Sequence, residues 1–294
     1  MTAERGEGRE GLVLLDKPSG MTSHDCVDAL RALLPRKFKV GHGGTLDPFC
    51  TGLLILLLGK ATRLAGLFQR MDKTYEGVFR FGTATDSFDR DGRVTATGAP
   101  PELDAAGWQA AANRFVGPSQ QVPPAFSAKR VGSRRAYELA REGEAVELPP
   151  VPVEIFAFSV APVSAADVHF RLRCSSGTYV RAVARDLGLA LGSPAHCYQL
   201  CRTAVGPFSV QDANPLSAPF AAKGFVAFDA IDAGLPVQRV THREERLLLN
   251  GQNIPAPPGL IAQGQRVKVV GPSERFVALG RVEGRQIHPE TVFP

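Results

Sequence analysis

The longest unbroken apolar run in the chain is Leu53-Leu54-Ile55-Leu56-Leu57-Leu58, bounded by Gly52 and Gly59. A run that short, with glycine at both ends, predicts a strand buried on both faces rather than a helix. Gly11 to Asp16 (GLVLLD) predicts another, closed by Lys17-Pro18-Ser19-Gly20. From Tyr75 to Phe81 the residues alternate, with Tyr75, Gly77, Phe79 and Phe81 on one face and Glu76, Val78 and Arg80 on the other, the signature of a half-buried strand. Val151–Val163 and Val168–Cys174 read as an antiparallel hairpin pair. Helical spacing of Val27, Leu30 and Leu34 behind a Ser23 cap predicts a helix over 23–34. Further helices are expected over 61–71, over 104–115 around Trp108, and over 178–191 after the turn Ser175-Ser176-Gly177. Strands and helices interspersed with hairpins indicate the α+β class rather than a doubly wound sheet. Near Gly234-Leu235-Pro236 the pattern shifts to short β-like runs, Arg266–Val270 and Phe276–Leu279. The expected organisation is a flexible polar tail over 1–10, a main domain over 11–236, and a small β-rich domain over 237–294.

With 294 residues, 44% of them hydrophobic, the chain can bury a large core. A net charge of +5 points modestly to an anionic partner. The clustering says more. No Asp or Glu occurs from Phe115 to Tyr137, a stretch holding Lys129, Arg130, Arg134 and Arg135. Five cysteines form no C-x-x-C pair, and His196, Cys197 and Cys201 lack a fourth ligand at workable spacing, so no metal site is expected. Met1 to Glu10 is polar and unlike a signal peptide. The apolar runs fall far short of the ~20 residues that span a bilayer. A cytoplasmic, reduced protein without a membrane segment is expected.

Asp47 is the only acidic residue between Asp28 and Asp72, a stretch with seven Lys or Arg. It sits in Gly41-His42-Gly43-Gly44-Thr45-Leu46-Asp47-Pro48, just before the buried strand. A carboxylate in a loop that would otherwise attract a polyanion suggests a chemical task, although Asp-Pro is also a turn starter and leaves that reading open. Three other segments accompany it: Lys17-Pro18-Ser19-Gly20-Met21-Thr22-Ser23, Lys73-Thr74-Tyr75, and Ser176-Gly177-Thr178-Tyr179-Val180-Arg181.

In this order, the four segments resemble those of the bacterial-type tRNA pseudouridine-55 synthases, the TruB family, over about residues 11–210. The last ~58 residues more weakly resemble a PUA RNA-binding domain. The resemblance implies the pseudouridine synthase fold, with a mixed, largely antiparallel central sheet flanked by helices and loops. It implies a cofactor-free isomerase that detaches uracil from C1′ of a uridine, turns the base, and rejoins it through C5. Asp47 matches the essential carboxylate, Tyr75 the tyrosine that stacks near the base and serves as general base, and Arg181 the arginine paired with the carboxylate. Tyr179 matches a pocket residue, His42 one that enters the RNA loop, and Asp89 an acidic position near the cleft. Lys17, Lys129 and Arg141 match phosphate contacts, and residues 123–141 a mobile arm that closes on the RNA. The implied partner is the tRNA T stem-loop, with no obligatory protein partner and a monomeric enzyme. A charge-stabilising carboxylate must be ionised near neutrality, and a neighbouring guanidinium favours that form. Two departures stand out. Gly43 replaces the usual Thr or Ser and should loosen the loop, and Lys60 replaces a common Glu and should add to the basic surface. A glycosidase, which needs two flanking carboxylates, fits a lone loop Asp poorly. A non-catalytic RNA-folding factor and a subunit of a guide-RNA complex are the other rivals.

Overall fold

The computed structural model describes residues 9–127, 129–131, 134–136, 139, 142, 148–257 and 262–294. Most of the expected tail, residues 1–8, and parts of the expected arm, including Arg141, lie outside the described residues. Among the described residues the main body is an 11-stranded sheet. Its principal path runs Asn214–Pro215, Gly11–Lys17, Thr51–Leu58, Ala195–Val205, Lys73–Phe81, Asp167–Cys174, Val151–Pro162 and Gly117–Gln121. Asn214–Pro215 runs parallel to Gly11–Lys17, as does Ala195–Val205 to Thr51–Leu58. The remaining pairings on this path are antiparallel, so the sheet is mixed and largely antiparallel, in the α+β class.

The apolar run at 53–58 is continuous because the sheet is covered on both faces there. Leu54, Leu56 and Leu58 join the cluster of Val13, Leu15, Cys26 and Leu30, while Leu53, Ile55 and Leu57 join that of Leu12, Leu14, Leu64 and Phe68. All six side chains are buried; truncating any one to Ala would cost about 2–5 kcal/mol. At Gly52 the backbone adopts φ +96°, and a Cβ would sit 2.4 Å from the Arg202 carbonyl oxygen. Only glycine lets the two strands meet there.

Several element limits differ from expectation. The helix Ser23–Arg31 is capped by Thr22, not Ser23. Thr22 Oγ1 accepts from the Asp25 N–H at 3.0 Å and the Asp25 carboxylate accepts from the Thr22 N–H at 2.8 Å, a reciprocal capping box. The helix ends before Leu34 because Pro35 disfavours helical geometry at the residue it follows. The helix expected over 61–71 is a 3-10 segment, Gly59–Leu64, followed by a short α-helix, Ala65–Arg70. The hairpin strands, the helix Ala105–Asn113 and the helix Val180–Ala190 stand close to where the pattern put them.

A second, five-stranded sheet is ordered Val237–Arg239, Arg266–Val270, Phe276–Glu283, Gln286–Val292 and Ile254–Pro255, with the helix His242–Leu249 beside it. Of this β-rich part, Phe276 stacks on Phe228 with ring centroids 5.2 Å apart, and Phe293 meets it edge-on at 4.8 Å. The three rings belong to the same buried cluster as Leu12, Leu57 and Phe68. Lys60 does not extend a basic surface. It pairs with Glu10 at 3.4 Å and lies 4.5 Å over the Phe228 ring.

Candidate active site

The loop that carries Asp47 joins the short strand Val40–His42 to Thr51–Leu58, and polar side chains pin it from two sides. Ser23 Oγ accepts from the Leu46 N–H at 2.8 Å and lies 3.2 Å from the Leu46 carbonyl. Freed from capping by Thr22, Ser23 thus locks the residue before Asp47. Ser19 Oγ donates to the Phe49 carbonyl at 3.1 Å, and the Gly20 N–H to the Pro48 carbonyl at 2.8 Å. Lys17, expected at a phosphate, is fully buried. Its ammonium donates to the carbonyls of Pro18, Met21 and Pro48, at 2.8, 2.6 and 3.1 Å. With its ammonium bonded to three loop carbonyls and none of its surface exposed, it is not presented to a phosphate in this structure. Gly43 does not loosen the loop either. A Cβ there would lie 2.7 Å from Phe68 Cβ, and the Gly43 N–H donates to the Ile55 carbonyl at 2.8 Å. The buried Phe68 ring occupies the space a side chain at 43 would need.

Arg181, on the first turn of Val180–Ala190, meets Asp47 side-on. Nε donates to Oδ2 at 2.8 Å and Nη2 to Oδ1 at 3.1 Å, the bidentate geometry that suits guanidinium and carboxylate. Nη1 also donates to the Ser87 carbonyl at 2.7 Å and Nη2 to the Phe126 carbonyl at 2.9 Å. The Asp89 carboxylate stands 3.4 Å from Nη1. The Arg181 side chain is 4% exposed and that of Asp47 37%, so the carboxylate faces the cleft while its partner lies behind it. Burial pushes the Asp89 carboxyl above its ordinary range, opposed by its bond from the Ser87 hydroxyl at 2.6 Å and by Arg181. Between Ser87 and Asp89, Phe88 adopts φ +62°, a left-handed conformation that bulky residues rarely take. Such strain is typical of functional sites.

Asp47 and Arg181 line two cavities. One, of about 1010 Å³, is also bordered by His42, Asp89, His24, Phe126 and Arg93. The other, of about 290 Å³, is bordered by Tyr75, Tyr179, Thr178, Lys73 and Arg202. The structure therefore gathers Asp47, Arg181, Asp89, His42, Tyr75 and Tyr179 around one centre. Burial drives the Tyr75 phenol well above its ordinary pKa, and that of Tyr179 upward as well, so both are neutral at pH 7. His42 is pushed below 6.5, chiefly by burial and then by Arg202, while Nδ1 is buried without a properly aligned hydrogen-bond partner. Lys129 is exposed and lines neither cavity. Arg185, four residues after Arg181, pairs with Asp186 at 2.7 Å and stands 4.8 Å from the Phe88 ring centre. Among the described residues no cluster of His, Cys, Asp or Glu could hold a metal ion, and no helix is long and apolar enough to cross a membrane.

The supporting roles of three residues were not read from the sequence, although one of them, Lys73, stands in a motif segment. Gln121 makes a reciprocal pair with the Tyr179 backbone, accepting from its N–H at 2.8 Å and donating to its carbonyl at 3.2 Å. It serves a helix end that has no side-chain cap. Lys73 donates to the Phe68, Gln69 and Met71 carbonyls, closing the end of Ala65–Arg70, and burial brings its ammonium down to about 8. Arg202 reaches under the Asp47 loop. Neither Gln121 nor Arg202 belongs to a glycine-rich or aromatic motif, and only the fold brings them to the site.

Residues 31–180 match the model for the TruB family pseudouridylate synthase (N terminal domain). The chain is 40% identical over 294 residues to tRNA pseudouridine synthase B of Solibacter usitatus, covering 96% of this chain and 99% of that one. Against the protein of the same name from Thermobifida fusca the identity is 38%, covering 97% and 98%. Among solved structures, one from a Cbf5-Nop10-Gar1 complex superposes with a TM-score of 0.73 at 24% identity, covering 97% of this chain and 85% of that one, and shows the same fold. Similarity over nearly the whole length, together with the shared fold, means that the chain belongs to the TruB family of pseudouridylate synthases.

Proposed function

We propose that the protein converts uridine 55 in the T loop of tRNA to pseudouridine, flipping the base into the cleft and using Asp47 as the essential group, without a cofactor. The reaction is balanced within the nucleoside: N1–C1′ breaks, C5–C1′ forms, C5 gives up a proton, and N1 gains one. Two relatives of nearly the same length are named tRNA pseudouridine synthase B, which supports tRNA as the substrate. The observation that carries the reading is the bidentate Arg181–Asp47 pair, with the carboxylate open to the cleft and the guanidinium buried behind it. That pairing keeps Asp47 anionic and aimed, as a nucleophile or as a stabiliser of positive charge at the sugar. In this reading Tyr75 stacks on the flipped base and relays the proton, its neutral phenol giving its own proton to N1 as it takes the one from C5, and Tyr179 and His42 line the space the base enters. The arm at 123–141 and a PUA-like domain over 237–294 supply RNA contacts outside the cleft.

Purified protein, assayed for tritium release from an unmodified tRNA transcript with C5-labelled uridine, should act on the wild-type T loop and not on a transcript with cytidine at position 55. Asp47→Asn should abolish release while tRNA binding is largely kept, because binding rests on phosphate contacts. Equal release from both transcripts would refute the site assignment, and turnover by the Asn variant would refute the role of Asp47.

A further inference from the structure

Ala195–Val205 lies between Thr51–Leu58 and Lys73–Phe81, and Arg202 is the residue at which these three strands meet. It is directly opposite Tyr75 on one side and Gly52 on the other, so its side chain and that of Tyr75 are cross-strand neighbours. The guanidinium turns toward the catalytic loop. Nε donates to the Leu53 carbonyl at 2.9 Å, Nη1 to Thr45 at 3.1 Å and Nη2 to Gly44 at 3.1 Å. Those bonds use three of its five N–H groups. Arg202 is 2% exposed. Among the described residues it forms no ion pair with a carboxylate, which makes it a cation held by backbone carbonyls beside a phenol. Burying an unpaired charge is costly, and lone packing does not call for it.

We infer that Arg202 is a positioning residue for the isomerisation, fixing the Tyr75 hydroxyl and the loop of Asp47 in one frame. The inference rests on the roles proposed above for Asp47 and Tyr75. Gly44 and Thr45 stand just before Asp47, so a shift of the guanidinium moves the carboxylate and the phenol together. It also acts electrostatically. To accept a proton from C5 the phenol must give up its own, and burial opposes its anion while Arg202 favours it.

The test is single-turnover tritium release at saturating tRNA, using the full chain in wild-type, Arg202→Lys, Arg202→Gln, Tyr75→Phe and Tyr75→Phe/Arg202→Lys forms. Arg202→Lys keeps the charge but not the fork. It should slow the reaction about 10-fold, and Arg202→Gln about 10²-fold, the range of a proton-transfer contribution. The tRNA Kd should change less than about threefold, since a buried side chain makes no phosphate contact. In the Tyr75→Phe background the further loss from Arg202→Lys should shrink to about twofold, the non-additivity expected of residues acting as a unit. Should Arg202→Gln fail to fold, the Lys variant carries the comparison. Equal losses in both backgrounds, or a wild-type rate for Arg202→Lys, would overturn the inference. Wild-type turnover by Tyr75→Phe alone is a separate failure, because it would remove the role of Tyr75 itself.

Discussion

Replacing Arg181 with Met removes the group that holds two carboxylates and two backbone carbonyls at once. A hydrogen bond to a charged partner contributes about 1.5–3 kcal/mol. Asp47 is 37% exposed, so water recovers much of what it loses, and its share is discounted to roughly 1 kcal/mol for solvent screening. The larger cost falls on Asp89, whose side chain is 9% exposed and would keep only the Ser87 hydroxyl and the Asp91 N–H. Stripping one partner from a buried pair costs about 3–5 kcal/mol. We expect Arg181→Met to lose about 3–4 kcal/mol of unfolding free energy at pH 7, with single-turnover rates down by more than ~10²-fold.

The sign of the pH dependence separates this account from a simple packing defect. Burial already raises the Asp89 carboxyl in the native state, and without Arg181 it rises further. A native state that binds protons more tightly than the unfolded chain gains stability as pH falls. The deficit of Arg181→Met against wild type should therefore shrink as pH falls from 7 toward 5. Adding Asp89→Asn to Arg181→Met should restore about 2 kcal/mol at pH 7 without restoring turnover, whereas Asp89→Asn alone should destabilise. Urea titrations across pH, paired with tritium release, measure both. If Asp89→Asn costs the same in both backgrounds, the two carboxylates are not joined through Arg181 and the reasoning fails.

Tyr75→Phe keeps the ring but not the hydroxyl, and should lower the single-turnover rate by about 10²-fold while tRNA affinity holds; equal rates would leave Tyr75 a packing residue. Changing Lys129, Arg130, Arg134 and Arg135 together to Ala should flatten the slope of log K against log salt by roughly two or three units, with the saturated rate changed far less. An unchanged slope would mean that none of them touches phosphate. His42, held below 6.5 mainly by burial, stays neutral when the unfolded chain would already be protonated, so stability should fall as pH drops below about 6.5. His42→Asn should flatten that part of the pH–stability curve, and identical curves for the two proteins would rule His42 out as the titrating group.

Elements were legible where the hydrophobic pattern was uninterrupted. The run at 53–58 and the alternation of 75–81 and 168–174 translate directly into strands because each side chain has one face to occupy. Ala195–Val205 did not declare itself, although it lies centrally in the sheet. Its register slips between Cys197 and Gln199 and again between Arg202 and Ala204, and a bulge resets the alternation that a sequence reading depends on. Gly77 shows how closely its partner follows: a Cβ there would lie 1.9 Å from the Gln199 carbonyl oxygen. The missed strand carries Arg202, so the missed element and the missed residue have one cause.

Asp47 could be singled out because an acid in a basic loop stands against its surroundings. Of the buried cations only Arg181 could be placed beforehand, through the family resemblance; Lys17 and Arg202 could not, because in sequence a lysine or arginine that holds a loop looks like one that binds phosphate. Lys17, Arg181 and Arg202 are each 3% exposed or less, and together they donate to carbonyls of Gly44, Thr45, Pro48, Leu53, Ser87 and Phe126. They form a positive floor beneath one cleft-facing carboxylate, whereas Lys129 is exposed. Counterion release counts only charges that reach phosphate. The formal charge of +5 therefore overstates the charge available at the surface, since part of the chain's basicity is buried beneath the Asp47 loop.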